Sequence, residues 1–334
     1  MAYDRRIVEL LSLPRAGHDL EWLKESLQAA IKLEFATLPP YLAAYWSVKD
    51  EVSPVASSLR EIFREEMLHM GLACNMLTAL GGVPQLDTRD AVPVYPGPLP
   101  GGVNPELIVP LGGLTKDILA VFMKVEFPAG GPLAHEDGGD DEVPTIGDFY
   151  TAVQRAFDTL QPALSPDRQL EGPLGLRRLV TLDAVRDSIT LIKRQGEGSE
   201  ASPEDTGPSD LAHFYRFGEM FHGKRFQRDP ATGEFNFDGP DLPFPEVFPM
   251  AVVPEGGYRG EDVTDEVARL LGQFDRDYTT MLGQLQTAWE RGDRTALRAA
   301  VSTMLDLRDP AVSLMQIAIP GREATYGPCF RLVG

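Results

Sequence analysis

The stretch PVASSLREIFREEMLHMGLACNMLTALGG, residues 54–82, decides the fold. Its apolar residues recur every three or four positions, the period of one buried helical face, and Gly81-Gly82 supplies a stop near Leu80. The inward stripe reads Val55, Leu59, Ile62, Glu66, His69, Ala73, Met76, Leu80. Two of the most polar residue types therefore occupy positions where the period demands core. Glu66 and His69 stand three apart, so both side chains leave the same face about one turn apart. Glu65, next door, points off that face, as a solvated acid or as a support to the pair.

The preceding segment repeats the anomaly. From Leu20 to about Tyr45, Leu23, Leu27, Ile31, Leu38, Leu42 and Tyr45 trace a buried helical face, and Glu34 fills the vacant slot in it. Pro39 and Pro40 remove two amide donors, so a kink or restart is expected near Leu38. Buried carboxylates are costly unless something positive neutralises them, and no lysine or arginine lies on these inward stripes. A cation from solution is the economical answer. Carboxylate and imidazole donors suit iron, manganese or zinc, and a Glu-x-x-His helix facing another carboxylate-bearing helix is a known way to build such a site. An exposed helical pair would spell the same motif, but here both residues fall on the apolar stripe.

Further along, Val83 to Pro110 is a Pro/Gly-rich connection containing YPGPLPGG, after which Thr115 can cap a helix carrying Leu119, Phe122 and Met123. Glu126 takes its next inward position and is the third acid; its plain reading is a helix-end glutamate near Lys124 and water. Thr145 and Asp148 make a capping box for a helix through Phe149, Val153, Phe157 and Leu160. Another helix spans about Leu179 to Gln195, followed by the loop GEGSEASPEDTGPSD, and helix resumes from Ser209 to His222. Two constellations compete for the fourth contribution. Glu197 and His213 flank the loop and can converge at a helix end, whereas Glu219 and His222 repeat the Glu-x-x-His spelling. Spacing alone leaves the two even.

Lys224 to Phe237 reads as a small hairpin, with RFQR and EFNF flanking DPATG, and a proline-rich stretch follows to about Pro254. Val263–Trp289 and Thr295–Ile319 form an amphipathic pair joined by ERGDRT, whose stripes hold no acid or histidine and read as structural. His18 and His135 sit in polar or glycine-rich surroundings and are expected on the surface.

The 334-residue chain carries 31 Lys and Arg against 50 Asp and Glu, a net charge of −19 that disfavours nucleic acid and anionic membrane. No apolar run is long enough to span a bilayer, and the N-terminus does not read as a secretory signal. Cys74 and Cys329 lie far apart, Cys74 inside an apolar helical pattern, which fits a buried free thiol in a reducing cytoplasm. A phosphate-binding GKS/T loop, a dinucleotide glycine pattern, a nucleophile elbow and a CxxC pair are all missing, so phosphate binding and thiol redox chemistry have no support.

The strings LEFATLPPYLAAYWSV, REEMLHMGLACNMLTALGGVP, the VEFP acid, TIGDFY, RQGEGS, LAHFYRFGEM and YGPCF resemble, in order, the ferritin-like domain family of the iminophenyl-pyruvate dimer synthases of violacein type. The likeness runs from about Leu20 to Phe330 and corresponds to the ferritin-like portion of those longer proteins. It implies a mainly α fold: one ferritin-like domain over 1–334, with core helices about 20–222, a hairpin and Pro-rich insertion about 223–260, and a C-terminal helical pair about 262–319. The family's recurring acids and histidines fall on Glu34, Glu66, His69, Glu126, Glu197 and His213, which favours the pair Glu197 and His213 over Glu219 and His222. Tyr41, Tyr45 and Tyr215 can line the pocket, though packing alone explains them.

The expectation is an iron-dependent oxidoreductase of specialised metabolism, binding one or two iron ions, with manganese as an alternative. Its substrate would be a small organic molecule, such as an amino-acid-derived aryl or imine compound, with oxygen as a further partner. A non-catalytic ferritin-like module that binds metal or a small ligand is the competing expectation.

Overall fold

The structure, a computed structural model, describes residues 6–102, 104–128, 145–196, 211–260 and 263–334. The short helix α1, Ile7–Ser12, leads into α2, Leu20–Ser47, which runs against α3, Pro54–Ala79, in the most extensive helix–helix contact of the molecule. Asp19 and Ser53 cap these two helices by accepting from the Trp22 and Ala56 amides. From Trp22 to Ser47 nearly every residue of α2 is buried, as expected of a helix enclosed on all sides.

The restart expected near Leu38 does not occur: α2 runs as one helix through both Pro39 and Pro40. Pro40 cannot donate to the Ala36 carbonyl one turn back, and the Tyr95 hydroxyl donates to that oxygen instead, at 2.6 Å. A side chain from the connection after α3 thus replaces the missing backbone donor.

Facing α2 and α3 are two pairs of shorter helices. Helix α4, Lys116–Val125, packs on α7, His213–His222, and α5, Ile146–Leu160, packs on α6, Leu182–Gly196. Tyr41 of α2 touches both Phe122 of α4 and Phe217 of α7, at ring separations of 4.6 and 5.0 Å. Tyr150 of α5 reaches Glu34, two turns earlier on α2. The short pairs therefore meet α2 at successive levels, and the end of α4, the start of α7, the end of α6 and the first turn of α5 come together midway along the bundle. Thr115 caps α4, and the Thr145–Asp148 capping box starts α5 as the spacing predicts.

The C-terminal part packs on the outer side of α2 and α3. Helix α8, Asp265–Arg291, lies along α9, Arg294–Asp306, and α10, Arg308–Met315, closes against α8 and α2. The single helix expected over 295–319 is thus two helices, parted at Leu307. Pro310 explains the break, since it has no amide to offer the Asp306 carbonyl yet is tolerated in the first turn of a new helix. Asn75 of α3 ties the layers together: its amide nitrogen donates to the Leu170 and Arg177 carbonyls, both at 2.8 Å. Its oxygen accepts from the Trp289 indole at 3.1 Å and the Leu170 amide at 3.0 Å.

Among the described residues two minimal antiparallel ribbons complete the picture, β1 (Gly97–Pro98) with β2 (Ile108–Val109) and β3 (Gln227–Arg228) with β4 (Phe235–Asn236). The second is the predicted hairpin. It closes against α7 at Gly218, where an added Cβ would sit 2.3 Å from the Phe237 ring. Among the described residues no helix is long and apolar enough to cross a membrane.

Candidate metal centre

Five of the residues singled out by the sequence converge at the midpoint of the bundle, all buried: Glu34, Glu66, His69, Glu126 and His213. Their donor atoms form two groups, Glu34 with Glu66 and His69, and Glu66 with Glu126 and His213, each with all atoms within 4.8 Å of one another. Glu66 belongs to both. Its Oε1 lies 3.5 Å from His69 Nδ1 and 2.8 Å from His213 Nδ1. Glu34 Oε2 is 3.6 Å from His69 Nδ1, and Glu126 Oε2 is 3.8 Å from His213 Nδ1.

Each helix delivers its residue by a different device. Glu34 and the Glu66–His69 pair come from the middle of unbroken helices, where the period alone orients them. Glu126 is the C-cap of α4, and His213 is the first residue of α7. A carboxylate at a helix C-terminus faces the negative end of the dipole, a position that favours a nearby cation.

The groups around the cluster hold its outer atoms. Tyr150 donates to Glu34 Oε1, and Tyr41 donates to Glu126 Oε1 at 2.6 Å. The Thr37 hydroxyl is 2.9 Å from Glu66 Oε2 and 2.8 Å from the Glu34 carbonyl, with one proton to share between them. Both histidines are held from behind: His69 Nε2 lies 2.8 Å from Gln195 Oε1, and His213 Nε2 lies 2.8 Å from Glu65 Oε2. Glu65 in turn accepts from Arg216 Nη1 at 2.6 Å. Each ring thus directs an Nε2–H outward and turns Nδ1 toward the carboxylates. His213 Nδ1 is buried and makes no hydrogen bond of good geometry, although Glu66 Oε1 stands 2.8 Å away.

The electrostatics have the same shape. Burial pushes the Glu34 carboxyl up to about 7, and burial together with the negative Glu66 raises Glu126. Burial would raise Glu66 as well, but the two imidazoles beside it hold it well below the usual carboxylate range. His69 is pushed up to about 10, burial being outweighed by Glu34 and Glu66, and His213 rises well above its ordinary value against Glu126, Glu65 and Glu66. Without a cation, extra protons on the histidines and neutralisation of the outer glutamates offset the charge of the buried carboxylates. An inward, unpartnered Nδ1 beside a shared carboxylate is the donor set a divalent cation would take over, so the residues present fit a metal.

The other expectations sort as follows. Glu197 lies outside the described residues; its neighbour Gly196 is close enough that an added Cβ would come 3.5 Å from Glu126 Oε2. Glu219 and His222 are engaged elsewhere. Glu219 accepts from Arg225 Nη1 at 2.7 Å and the Phe226 amide at 2.8 Å, anchoring the hairpin, and His222 stacks on Phe237 at 4.4 Å. Glu65 is a support to His213, one of the two roles foreseen for it. Tyr41 touches the cluster, whereas Tyr45 faces an apolar cavity on the other side of α2 and Tyr215 packs on Phe226. His18 is half-buried and stacked on Trp22 at 3.9 Å, not free on the surface, because Leu13 O holds its Nε2. His135 lies outside the described residues. Cys74 and Cys329 are free and buried. Thr37, Tyr150 and Gln195 carry no periodic signal of their own, although Tyr150 ends the string TIGDFY and Gln195 is the second residue of RQGEGS.

Three comparisons bear on this arrangement. The sequence model of the family described as Ferritin-like matches residues 27–222. A dichlorochromopyrrolate synthase from Lentzea aerocolonigenes is 25% identical over 322 aligned positions, covering 83% of this chain, which spans 30% of the length of that relative. A crystal structure of a ferritin like protein from Caulobacter vibrioides superimposes with a TM-score of 0.64 at 20% identity, covering 96% of this chain and 99% of that one, a likeness of fold.

Proposed function

This chain belongs to the ferritin-like family, and we propose that its buried cluster is a two-metal centre, holding iron, of an oxidoreductase that acts on a small organic substrate. Glu34 and His69 hold one ion, Glu126 and His213 the other, and Glu66 lies between them; Glu197, next to Gly196, is the sixth ligand. The observation that carries this reading is the matched posture of the histidines, each committing Nε2 to an outer partner and turning Nδ1 toward the carboxylates. Iron held this way supplies one-electron redox chemistry with oxygen or peroxide, and manganese suits the same donors.

The chain's own residues prepare the site. Tyr41 and Tyr150 occupy one oxygen each of Glu126 and Glu34 and leave the other turned inward. A cavity of about 30 Å³ reaches the cluster between α5 and α6, lined by Gly147, Ile192, Lys193 and Gly196 among others. That is room for a water or a molecule of similar size. Lys193, whose ammonium donates to Thr151 Oγ1 at 2.7 Å, places a positive charge on its wall.

The similarity to a dichlorochromopyrrolate synthase supports a biosynthetic role and a small-molecule substrate; the substrate class we propose, from the resemblance of the sequence strings to the violacein-type dimer synthases, is amino-acid-derived aryl or imine compounds. We place the enzyme in the cytoplasm, as one ferritin-like unit without a nucleic-acid or membrane partner. The test is elemental analysis of protein purified without chelators, then anaerobic reconstitution with Fe(II) and a spectrum before and after oxygen. About two ions per chain and an oxygen-dependent absorption change are expected. Less than about a tenth of an equivalent after reconstitution overturns the metal reading. Two bound ions that neither respond to oxygen nor accept azide would instead favour a non-catalytic binding module.

A further inference from the structure

A second and much larger cavity, of about 510 Å³, lies between α2 and α3 on one side and the C-terminal helices on the other. Protein interiors hold few voids larger than a water, whereas small-molecule sites run from roughly 300 to 1,000 Å³. This space is of the second kind. It is separate from the metal cluster: Phe35 and Leu38 line it, while their chain neighbours Glu34 and Thr37 line the small cavity on the opposite face of α2.

Its wall is apolar and rich in rings, including Trp46, Phe63, Trp289 and Phe330, and its charged residues are few and of one dominant sign. Arg60, Arg64 and Arg308 line it against a single acid, Glu51, in a chain whose net charge is −19. Arg308 pairs with Glu51, yet its Nε is buried without a hydrogen-bond partner. Arg60 and Arg64 stand one turn apart on α3, a spacing that brings like charges together at a cost. Among the described residues neither lies within ion-pair distance of a carboxylate, and Arg60 makes only a 3.4 Å contact to Ser57 Oγ. A further donor is left over in the wall, for Tyr278 is buried and its hydroxyl is also unpartnered. A surplus of guanidinium donors beside an aromatic-walled hollow is complementary to an anion with a large apolar body.

We propose that this cavity is a binding site for an apolar-bodied organic carboxylate, its head on Arg60 and Arg64 and its body among the rings. The site does not depend on the metal reading. The body can be an alkyl chain or a fused or linked aromatic, and the experiment separates the two.

The full-length protein is titrated with dodecanoate, 4-biphenylcarboxylate and, as the uncharged control, dodecanol. Calorimetry gives stoichiometry, and the fluorescence of Trp46 and Trp289 reports occupancy. At least one carboxylate should bind once per chain, about tenfold or more tighter than dodecanol, the order a charge-assisted contact supplies. Arg60→Gln/Arg64→Gln, on the partly exposed side of α3, should erase that advantage and leave dodecanol binding as it was. Ala300→Trp should fill the space and abolish binding of all three; should it fail to fold, the arginine pair decides alone. His213→Ala should bind the carboxylate as wild type does, even where it has lost metal. Failure of both carboxylates to saturate one site, equal affinity for acid and alcohol, or an arginine double variant that binds the acid unchanged overturns the proposal.

Discussion

The two halves of the buried cluster are assembled from the same parts but backed differently. On one side stand Glu34, His69 and Tyr150; on the other Glu126, His213 and Tyr41, with Glu66 shared. The difference lies behind the histidines. His69 rests on Gln195, a neutral amide that fixes the ring's tautomer, whereas His213 rests on Glu65, an ion that also draws electron density onto Nδ1 and is itself steadied by Arg216. The ring of one half is merely oriented; that of the other is also made more basic. On the proposed two-metal reading, the two halves differ in affinity without differing in the residue types that would hold the ions.

The harshest way to break the comparison is to remove what the halves share. Glu66→Gln keeps the shape and deletes the common charge, and metal content measured by mass spectrometry after Fe(II) reconstitution should fall about tenfold or more at both positions. Retention of one full equivalent would mean that Glu66 does not serve both halves. Next, Glu65→Gln makes the two supports alike. The affinity of the His213 half should drop about 10- to 100-fold while the other half holds, so a Co(II) titration should lose its tighter step. An unchanged titration would reduce Glu65 to packing.

Without metal, pH sharpens the contrast between apo and loaded protein. Glu34 is raised from 4.5 to about 7, so between these values the folded chain holds a proton the unfolded chain has released, and stability falls as pH rises. His69 is raised from 6.5 to about 10, so its contribution is complete below 6.5 and is lost on the way to 10. The melting temperature of metal-free protein should therefore decline from pH 5 to 9, while the increment gained from metal grows over pH 5 to 8. An apo melting temperature that climbs through this interval would contradict the assignment.

Smaller still, Tyr41→Phe and Tyr150→Phe each remove one donor to an outer glutamate. Each should destabilise the protein by about 1–3 kcal/mol in denaturant melts, since a buried acceptor loses its partner. His222→Ala, outside the cluster, should leave metal content at the wild-type value; a loss equal to that of His213→Ala would return the disputed fourth helix to Glu219 and His222.

How much of this could be read in advance follows from where each signal resides. Glu34, Glu66 and His69 lie inside long helices, where a polar residue on an apolar stripe betrays itself by period. Glu126 and His213 lie at helix ends: the period reaches Glu126 only at its last inward position, and for His213 spacing leaves two choices that only family likeness separates. Tyr150, Thr37 and Gln195 act across helices, and such a bond leaves no periodic trace in either strand of sequence. The same holds for the errors. That α2 does not restart after Pro39-Pro40 depends on Tyr95, more than fifty residues on, and the parting of α9 from α10 is visible only as Pro310, whose effect depends on where a helix begins.

The bond from Tyr95 to the Ala36 carbonyl carries an evolutionary consequence. Glu34 is carried by a helix that keeps two prolines in its interior on the strength of one hydroxyl lent by a distant connector. Neither partner is free to drift alone: a lineage that loses the tyrosine strands a carbonyl beside the buried Glu34, and one that replaces Pro40 by a residue with an amide releases the tyrosine from duty. Substitutions at positions 40 and 95 should therefore be inherited as a couple, and a descendant found with only one of them would be a lineage caught between two solutions.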